Sequence, residues 1–449
     1  MSDLTKAVTA LRVKARENEK YWRYFHGDHP MLYTYERLAQ VFGPTATRFV
    51  QNWCGVAIHA TLERVVLERF VVDGNPDLTA KVNELWKLTE MDVDVEDVHQ
   101  SFLVTSEAFV FVWKDQDGHV TAFENDADLC EMFYEKTNPR KKKFAAKWWF
   151  DDDLKGWRLN LYYADRIEYY FQAGESVETG AKFVPYAVDG DVSAENPFGE
   201  IPIFHFRKDR RKRQSDLQEL IPIQDGVNKL FSDMMVAAEF GAFPQRWVIS
   251  NADISKLKNS PNEIWDLPGS DGEGQETSVG QLAATSLQNY WQTIEKLVEA
   301  AASVSRTPHY YFFKTGTSEL GGEALIALES ALVKKCKRYI RILQNEWQKM
   351  VEFMLRLSGE NIPSVEKVRV IYGQPETMQP YTQAQVRQLN VSSGIPLLTQ
   401  LRNDGWSQTQ LNQLMEDVKA MSKLQEMSLA EAMIEAQRRF DQGGNGQDF

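Results

Sequence analysis

Residues 195–250 of this chain read ENPFGEIPIFHFRKDRRKRQSDLQELIPIQDGVNKLFSDMMVAAEFGAFPQRWVIS, and they hold most of the signals that set its architecture. A mixed α/β region ends near Phe206, and the basic run RKDRRKR follows, with six cationic residues in seven. Ser215 can cap a helical stretch, and Pro222 fits the first turn of the main helix, where an amide hydrogen is not needed. We predict that this helix runs to about Phe240 and that RWVIS, the last five residues, is a strand.

The chain before this segment changes from helical to strand patterns. Apolar residues recur at helical spacing from Leu4 to Phe25 and from Tyr35 to Phe70, and a shorter helix is predicted around Leu78 to Leu88. Runs of β-branched and aromatic residues bounded by Asp and Gly clusters then predict strands. These runs are Ser101 to Lys114, Lys147 to Phe150, Trp157 to Tyr163 and Ile167 to Phe171.

After this segment the helical periodicity stops between Pro244 and Leu282. We predict a small β-rich insertion there, with a second strand at NEIWDLPG (262–269) and a flexible acidic loop at DGEGQETSVG (271–280).

Two helices are predicted beyond the insertion. Residues Ala284 to Ala302 have apolar positions at helical spacing, and Gly322 to Leu357 contains no proline or internal glycine. At 1.5 Å per residue the second helix would be about 50 Å long. A short strand from Val368 to Tyr372 and short helices as far as Phe440 complete the prediction.

Composition narrows the range of functions. The 449 residues carry 51 basic and 64 acidic side chains, a formal charge of −13, which disfavours tight DNA binding through counterion release. Cys54, Cys130 and Cys336 lie far apart and lack the spacing of zinc ligands or of a disulfide framework. No stretch approaches the roughly 18 apolar residues of a membrane span, so we expect a chain that is neither secreted nor embedded in a membrane.

Motifs for catalysis are missing from the sequence. GxxxxGK[ST], GxSxG and HExxH do not occur, and the seven histidines have no convincingly spaced partner. No catalytic residue, metal or cofactor is therefore predicted. A metal-dependent nuclease or hydrolase is kept as an alternative, although its carboxylates are expected to be solvated acids at a helix start. They are Asp92, Asp94, Glu96 and Asp97.

Three segments together resemble the portal family of tailed bacteriophages, typified by the portal of a Bacillus siphophage, and in particular its relatives in phages of actinobacteria. The first is YFHGDHP (24–30) with NWCGVAIHATLERVVLERF (52–70). The second is residues 195–250, with an Asn-Pro-x-Gly-x-Ile-Pro turn and a Gln-Asp-x-x-Asn-Lys helix. The third is SRTPHYYF followed by LGGEALIALESALVKKCKRYIRIL, in which Leu320 and Gly321 depart from the family's Pro-Ser-Gly-Glu-Ala-Leu.

The resemblance spans roughly Tyr21 to Leu357 and implies an α+β phage portal fold. That fold is mainly helical, with a mixed α/β wing, a helical stem, a small β-rich clip and a helical crown. The implied boundaries are 1–206 for the N-terminal part of the wing, 207–243 for the first stem helix and its lead-in, 244–282 for the clip, 283–305 for the second stem helix, 306–322 for the tunnel loop, 323–375 for the long wing helix and strand, 376–440 for the crown and 441–449 for a flexible tail.

The resemblance also implies a function. Such subunits form a ring, a dodecamer in the virion, at one capsid vertex, through which double-stranded DNA is packaged and ejected. The implied partners are further copies of the chain, DNA held transiently and without sequence specificity, terminase, the head-to-tail adaptor, the major capsid protein and a scaffolding protein, with no membrane. Assembly is expected in the host cytoplasm. A minor head protein with a related fold is a further alternative.

One face of the helix predicted from Ala284 is polar. Composition alone favours an ordinary solvated surface for it. The resemblance implies instead that this face lines the channel, where carboxylates repel phosphates and glutamines make weak, exchangeable contacts that let DNA slide. Its residues are Gln288, Gln292, Glu295 and Glu299.

The resemblance places the tunnel loop within HYYFFKTGTSELGG (309–322). We expect its aromatic residues to be buried, because they carry large apolar rings. Its polar residues suit a mobile tip near DNA, with Lys314 as the preferred phosphate contact. These are Lys314, Thr315, Thr317 and Ser318.

In the clip, the resemblance implies a docking surface for terminase and adaptor made by Trp265 and the acidic loop. Burial of Trp247 and Trp265 inside the small β unit is an equally good interpretation of the two indoles. The acidic loop residues are Asp271, Glu273 and Glu276.

Two basic runs, Arg207 to Arg213 and Arg140 to Lys143, match the pattern of nucleic-acid patches. The negative net charge favours the other interpretation, in which they are charge runs that pair with acidic neighbours in the ring.

Overall fold

The computed structural model describes residues 2–30, 50–177, 183–242, 246–249, 278–282, 286–313, 322–360, 367–376, 380–403, 406 and 410–422. The chain divides into two compact units, Met1–Glu376 and Thr377–Phe449. The first unit combines helices with small antiparallel sheets, and the described part of the second unit is helical. The predicted mixed α/β fold class is therefore confirmed.

The helices of the first unit begin and end where short-range signals put them. Asn52 and Asn75 accept hydrogen bonds from the amides of Gly55 and Leu78 and so cap the second and third helices. Gly27, at φ 79°, ends the first helix in the left-handed region that glycine adopts without strain. The helices are α1 Asp3–His26, α2 Trp53–Leu62, α3 Pro76–Leu88, α4 Met91–Val104, α5 Ile221–Ala242, α6 Leu287–Ser305 and α7 Gly322–Leu357.

In the described part of the chain the strands form four separate sheets, in which neighbouring strands run antiparallel. The strands are β1 Leu67–Val72, β2 Glu107–Lys114, β3 Val120–Asn125, β4 Cys130–Tyr134, β5 Lys142–Asp151, β6 Gly156–Tyr162, β7 Arg166–Ala173, β8 Val184–Pro185, β9 Ser193–Glu195, β10 Ile203–Arg207, β11 Arg246–Ile249, β12 Ser278–Gln281 and β13 Val368–Tyr372. Their pairings are β1-β13, β10-β2-β3, β4-β5-β6-β7-β8 with β9 beside β7, and β11-β12.

Helix α7 crosses the main core of the first unit. Trp347 on α7 is fully buried, with ring centroids 5.2 Å from Trp86 on α3 and 4.4 Å from Phe206 on β10. Its indole nitrogen lies 3.2 Å from Nε2 of His99, which is buried on α4. A single long helix thus joins the N-terminal helices to β10, the strand that ends at the first residue of the basic run.

Two sequence predictions were wrong where helix and strand follow each other closely. Only the second half of Ser101 to Lys114 is a strand, because Ser101 to Val104 close the buried end of α4. Ser106, at φ 75°, makes the break between helix and strand. The helix predicted from Tyr35 to Phe70 is limited in its described part to α2 and is followed by β1, which pairs with β13 about 300 residues later. In a run where every residue is apolar, the spacing of apolar residues cannot distinguish a helix from a strand. A pairing strand far along the chain leaves no signal in the neighbouring sequence.

The insertion after α5 also differs from its prediction. Residues Ser278 to Gly280, expected in an acidic loop, belong to β12, and Gly280 stands opposite Trp247 of β11. A Cβ atom at Gly280 would lie 2.5 Å from Cζ2 of Trp247, so this glycine makes room for the indole. Strands β3 and β4 were not predicted, and the predicted strand at 262–269 lies outside the described residues.

The second unit contains α8 Pro380–Ser392, α9 Leu397–Asn403 and a helix over 410–422, α10. Leu389, Val418 and Met421 are more than half exposed on these helices. Residues 423–440, also predicted to be helical, lie outside the described residues. No helix in the described part of the chain is long and apolar enough to cross a membrane.

Candidate functional site

Helices α5 and α6 pack against each other and give α6 a buried face. Ile294 and Val298 are fully buried, and Val227 of α5 is buried in the same core. A Cβ atom at Gly226 would lie 3.4 Å from Cδ1 of Leu297, so the helices approach closely at this glycine. Trp291, another apolar residue of α6, is 39% exposed and lies at the border of this buried face.

The opposite face of α6 carries the four predicted polar residues. Gln288, Gln292 and Glu299 are exposed, and Glu295 is half-buried. Glu295 accepts a hydrogen bond from the Trp291 indole at 2.8 Å. The structure therefore brings the four side chains together on one solvent-facing surface of a single subunit.

This face is less negative than its two glutamates suggest. Lys296 Nζ lies 2.7 Å from Glu299 Oε2, and this hydrogen bond lowers the pKa of Glu299. Both partners are exposed, so the pair adds little stability. The positive charge of Lys296 does, however, bring the formal charge of the face from −2 to about −1 per subunit. The face can therefore offer mobile polar contacts but produces no strong electric field.

The C-terminal end of α6 is anchored on a buried ion cluster. Asp216 pairs with Lys208 at 2.7 Å and with Lys335 at 2.9 Å, and it accepts a hydrogen bond from Tyr339 at 2.6 Å. Lys335 also donates to the carbonyl of Ser305, the last residue of α6, at 3.2 Å. Burial opposes ionisation of Asp216, but the two lysines hold its pKa below the ordinary value. This cluster holds α6 rigidly against α7.

The aromatic segment after α6 is packed, as expected from its rings. Phe312 is buried, and Phe313 lies 5.3 Å from Trp53 and 5.7 Å from Trp291 between ring centroids. Tyr311 accepts a hydrogen bond from Arg64 at 2.8 Å. The segment therefore fixes the chain up to the point where the predicted tunnel-loop tip begins.

Two of the predicted site groups lie outside the described residues. Lys314, Thr315, Thr317 and Ser318 fall in 314–321, and Trp265, Asp271, Glu273 and Glu276 fall in 250–277. Both groups stay predictions.

The carboxylates of α4 stand at a helix start, as expected. Asp92 and Asp94 lie in its first turn, where acids are favoured by the helix dipole. The carboxylates of this run do not converge on a common point. Among the described residues, ligand atoms close enough to share an ion belong to Asp115, Asp117 and His119, all exposed in the β2–β3 turn.

The first basic run is partly used inside the chain. Its pairing with acidic neighbours in the ring stays a prediction. Arg207 lies 3.8 Å above the Tyr134 ring, and Lys208 pairs with Asp216. Arg213 reaches Glu131 at 3.2 Å.

The second basic run is also held within the subunit. Lys141 pairs with Glu135 at 2.7 Å, and Lys143 pairs with Asp3 at 2.9 Å. Burial lowers the pKa of Lys142, which donates to the Ile203 carbonyl at 2.7 Å.

A buried ion network between α1, β2 and β4 was missed by sequence reasoning. Lys14 of α1 is fully buried between Glu107 of β2, at 2.9 Å, and Glu131 of β4, at 2.8 Å. His205 lies 2.9 Å from Glu107. Burial opposes these charges, but Glu107 raises the pKa of Lys14, and Lys14 lowers the pKa of Glu107. The one sequence signal for this network was a single lysine, Lys14, on the apolar face of α1.

Comparison with known proteins gives these features a family context. Residues 12–427 match the family described as "Phage portal protein, SPP1 Gp6-like". A portal protein of Mycobacterium phage L5 is 18% identical over 77% of this chain and 74% of its own length. A portal protein of Mycobacterium phage D29 is 23% identical over 46% of this chain and 47% of its own length. A solved structure described as "Neck of empty GTA particle computed with C6 symmetry" aligns with a TM-score of 0.43 at 10% identity, over 80% of this chain and 88% of that chain.

The match over nearly the whole chain identifies the class first: this is a structural protein of a phage head. The chain belongs to the phage portal protein family of the SPP1 Gp6 type, and the resemblance to portals of actinobacterial phages is confirmed. Its place is accordingly the virion.

Proposed function

We propose that twelve copies of this chain form the ring that conducts double-stranded DNA into and out of the capsid, with the polar face of α6 lining the channel. One observation carries the proposal. Ile294 and Val298 are fully buried against α5, whereas Gln288, Gln292 and Glu299 remain exposed in the single subunit. A helix with one face packed and a polar face left in water suits the wall of an aqueous channel.

The chemistry of this face fits a sliding contact. Two glutamines and a weakly negative remainder give DNA phosphates no strong cation to bind. The pairing of Glu299 with Lys296 also keeps repulsion modest, since the net charge of the face is small. DNA would therefore meet exchangeable hydrogen bonds and water along this wall rather than a tight site.

Labelling at one position tests the proposal. Cys54, Cys130 and Cys336 are buried, so an added cysteine on α6 would be the main target of a maleimide. Particles carrying Gln292→Cys, labelled with a maleimide benzophenone and packaged with DNA, should give light-dependent protein–DNA adducts. Asp152→Cys, exposed in the β5–β6 turn, is the matched control and should give few. Equal adduct yields at both positions, or none at Gln292→Cys in full particles, would remove α6 from the channel wall.

The remaining partners belong to the same proposal. Terminase and the head-to-tail adaptor would dock on the clip at Trp265 and the acidic loop. The tunnel-loop tip with Lys314 would approach DNA. The major capsid protein and a scaffolding protein would meet the ring during assembly in the host cytoplasm. Family membership supports the class of these partners.

A further inference from the structure

A polar cleft with unpaired cations lies at the C-terminal end of α6. Lys208, Arg306, Lys335 and Arg338 line it, together with Asp209, Asp216 and Glu219. Asp216 is already shared by Lys208 and Lys335. In the described part of the chain, no carboxylate lies within ion-pair distance of Arg306 or Arg338. Arg210, Arg211 and Lys212 follow at its edge and are exposed, so the surface is basic.

An acidic surface lies at the start of α4. Asp92, Glu96 and Asp97 are exposed there, and among the described residues none of their carboxylates has a cation within ion-pair distance. Glu124 of the neighbouring strand β3 and Asp126, just after that strand, extend it. Burial first, and then Asp126, Asp97 and Asp94, raise the pKa of Glu124, which shows that these acids share one surface. We call it the acidic patch, and the surface at Arg306 and Arg338 the basic cleft.

Both surfaces also expose apolar side chains. Leu88 and Val93, in the acidic patch, are 69% and 70% exposed, and Val304, in the basic cleft, is 40% exposed. Burial of these side chains at an interface would add apolar contact area to the charge complementarity.

The two surfaces stand at opposite ends of α4. The carbonyl of Leu103, at its C-terminal end, accepts hydrogen bonds from Lys208 and from the amide of Asp216, which line the basic cleft. Asp94 lies nine residues earlier, about 14 Å away along the helix axis. That distance exceeds the Debye length of about 8 Å at physiological ionic strength, so the patches do not neutralise each other within one subunit.

Strained backbone presents a charged residue at each surface. Glu90, at φ 56°, makes the turn before α4, and Arg306, at φ 58°, ends α6. Both sit in the left-handed region, where a residue other than glycine is uncommon.

We propose that the acidic patch of one copy docks into the basic cleft of the next copy around the ring. This inference rests on the proposed ring, because a closed ring needs two different, complementary surfaces on each subunit. Two observations on the described residues support it: cations without an ion-pair partner lie near Val304, and exposed carboxylates without one lie near Leu88 and Val93.

Charge reversal tests the contact from both sides. The cleft variant carries Arg306→Glu and Arg338→Glu, and the patch variant carries Asp94→Lys and Asp97→Lys. In mass photometry at about 0.1 M salt, each variant alone should stay near the subunit mass of 51.6 kDa, with the fraction in rings reduced about tenfold or more. An equimolar mixture should form rings again, because alternating copies restore opposite charges at every contact.

Three controls make the outcome decisive. Circular dichroism and thermal melting of each variant alone establish that it is folded, and Asp152→Lys with Asp153→Lys applies the same charge change in the exposed β5–β6 turn without loss of rings. If the wild-type chain and both variants all form rings, this contact is refuted, whereas the proposed ring stands. The same conclusion follows if the variants are folded but their mixture does not form rings again. Wild-type chain that never assembles would overturn the proposed function and this inference with it.

Discussion

Replacing Lys14 with methionine should destabilise the subunit far more than any exposed charge change. Lys14 is fully buried, 2.9 Å from Glu107 and 2.8 Å from Glu131, and it also donates to the Cys130 carbonyl. Methionine keeps the length of the side chain but removes the charge. Two buried carboxylates then lose their main counterion.

The magnitude follows from the partners that remain. Removing one member of a buried ion pair costs about 3–5 kcal/mol. Arg213 still reaches Glu131 at 3.2 Å, and His205 still lies 2.9 Å from Glu107, so we expect the lower end, about 3 kcal/mol. At about 2.1 cal/mol/K of unfolding entropy per residue for the unit Met1–Glu376, that corresponds to a fall in Tm of about 4 °C.

Lys6→Met on the same helix is the matched control. Lys6 makes an exposed i,i+3 pair with Asp3, whose loss should cost less than about 0.5 kcal/mol. Scanning calorimetry of wild type and both variants at pH 7 gives the comparison. Adding Glu107→Gln to Lys14→Met should recover part of the loss, because it neutralises one orphaned carboxylate. Equal melting temperatures for Lys14→Met and Lys6→Met would refute the argument that the network is stabilised by its central cation.

Three further predictions concern other parts of the chain. Burial, and then Asp126, raise the pKa of Glu124 to about 7, so its contribution to stability is present below its ordinary pKa and is lost as pH rises through 7. Glu124→Gln should therefore be more stable than wild type in urea unfolding by about 1–2 kcal/mol at pH 8 and indistinguishable at pH 4.5. Replacing Glu295 and Glu299 with lysine should leave rings intact but slow packaging and ejection, more so at low salt, and wild-type rates at every salt concentration would contradict this. Deleting residues 271–276 should leave rings intact and abolish packaging, whereas failure to form rings would make the segment an assembly element.

Local signals were sufficient for several elements of the fold. Helices α3, α5 and α7 and strand β13 follow from caps, periodicity and the absence of helix breakers, which depend on residues a few positions apart. The polar face of α6 was likewise predictable, because Gln288, Gln292 and Glu299 repeat at helical spacing. Strand β12 was not, since glycine and acidic neighbours indicated a loop and its partner β11 lies about 30 residues earlier.

The sequence by itself determined the family and the mixed α/β class of this chain, because the order of motifs and the hydrophobic periodicity are properties of the sequence alone. Only the tertiary structure decided which charged side chains are paired inside the subunit and which remain available to partners. The run Arg207 to Arg213 looks uniformly basic in sequence, yet Lys208 and Arg213 are neutralised by Asp216 and Glu131. Arg306 and Arg338, about 30 residues apart in sequence, line one cleft. Electrostatic energy depends on distance through space and on burial, and neither quantity exists until the chain has folded.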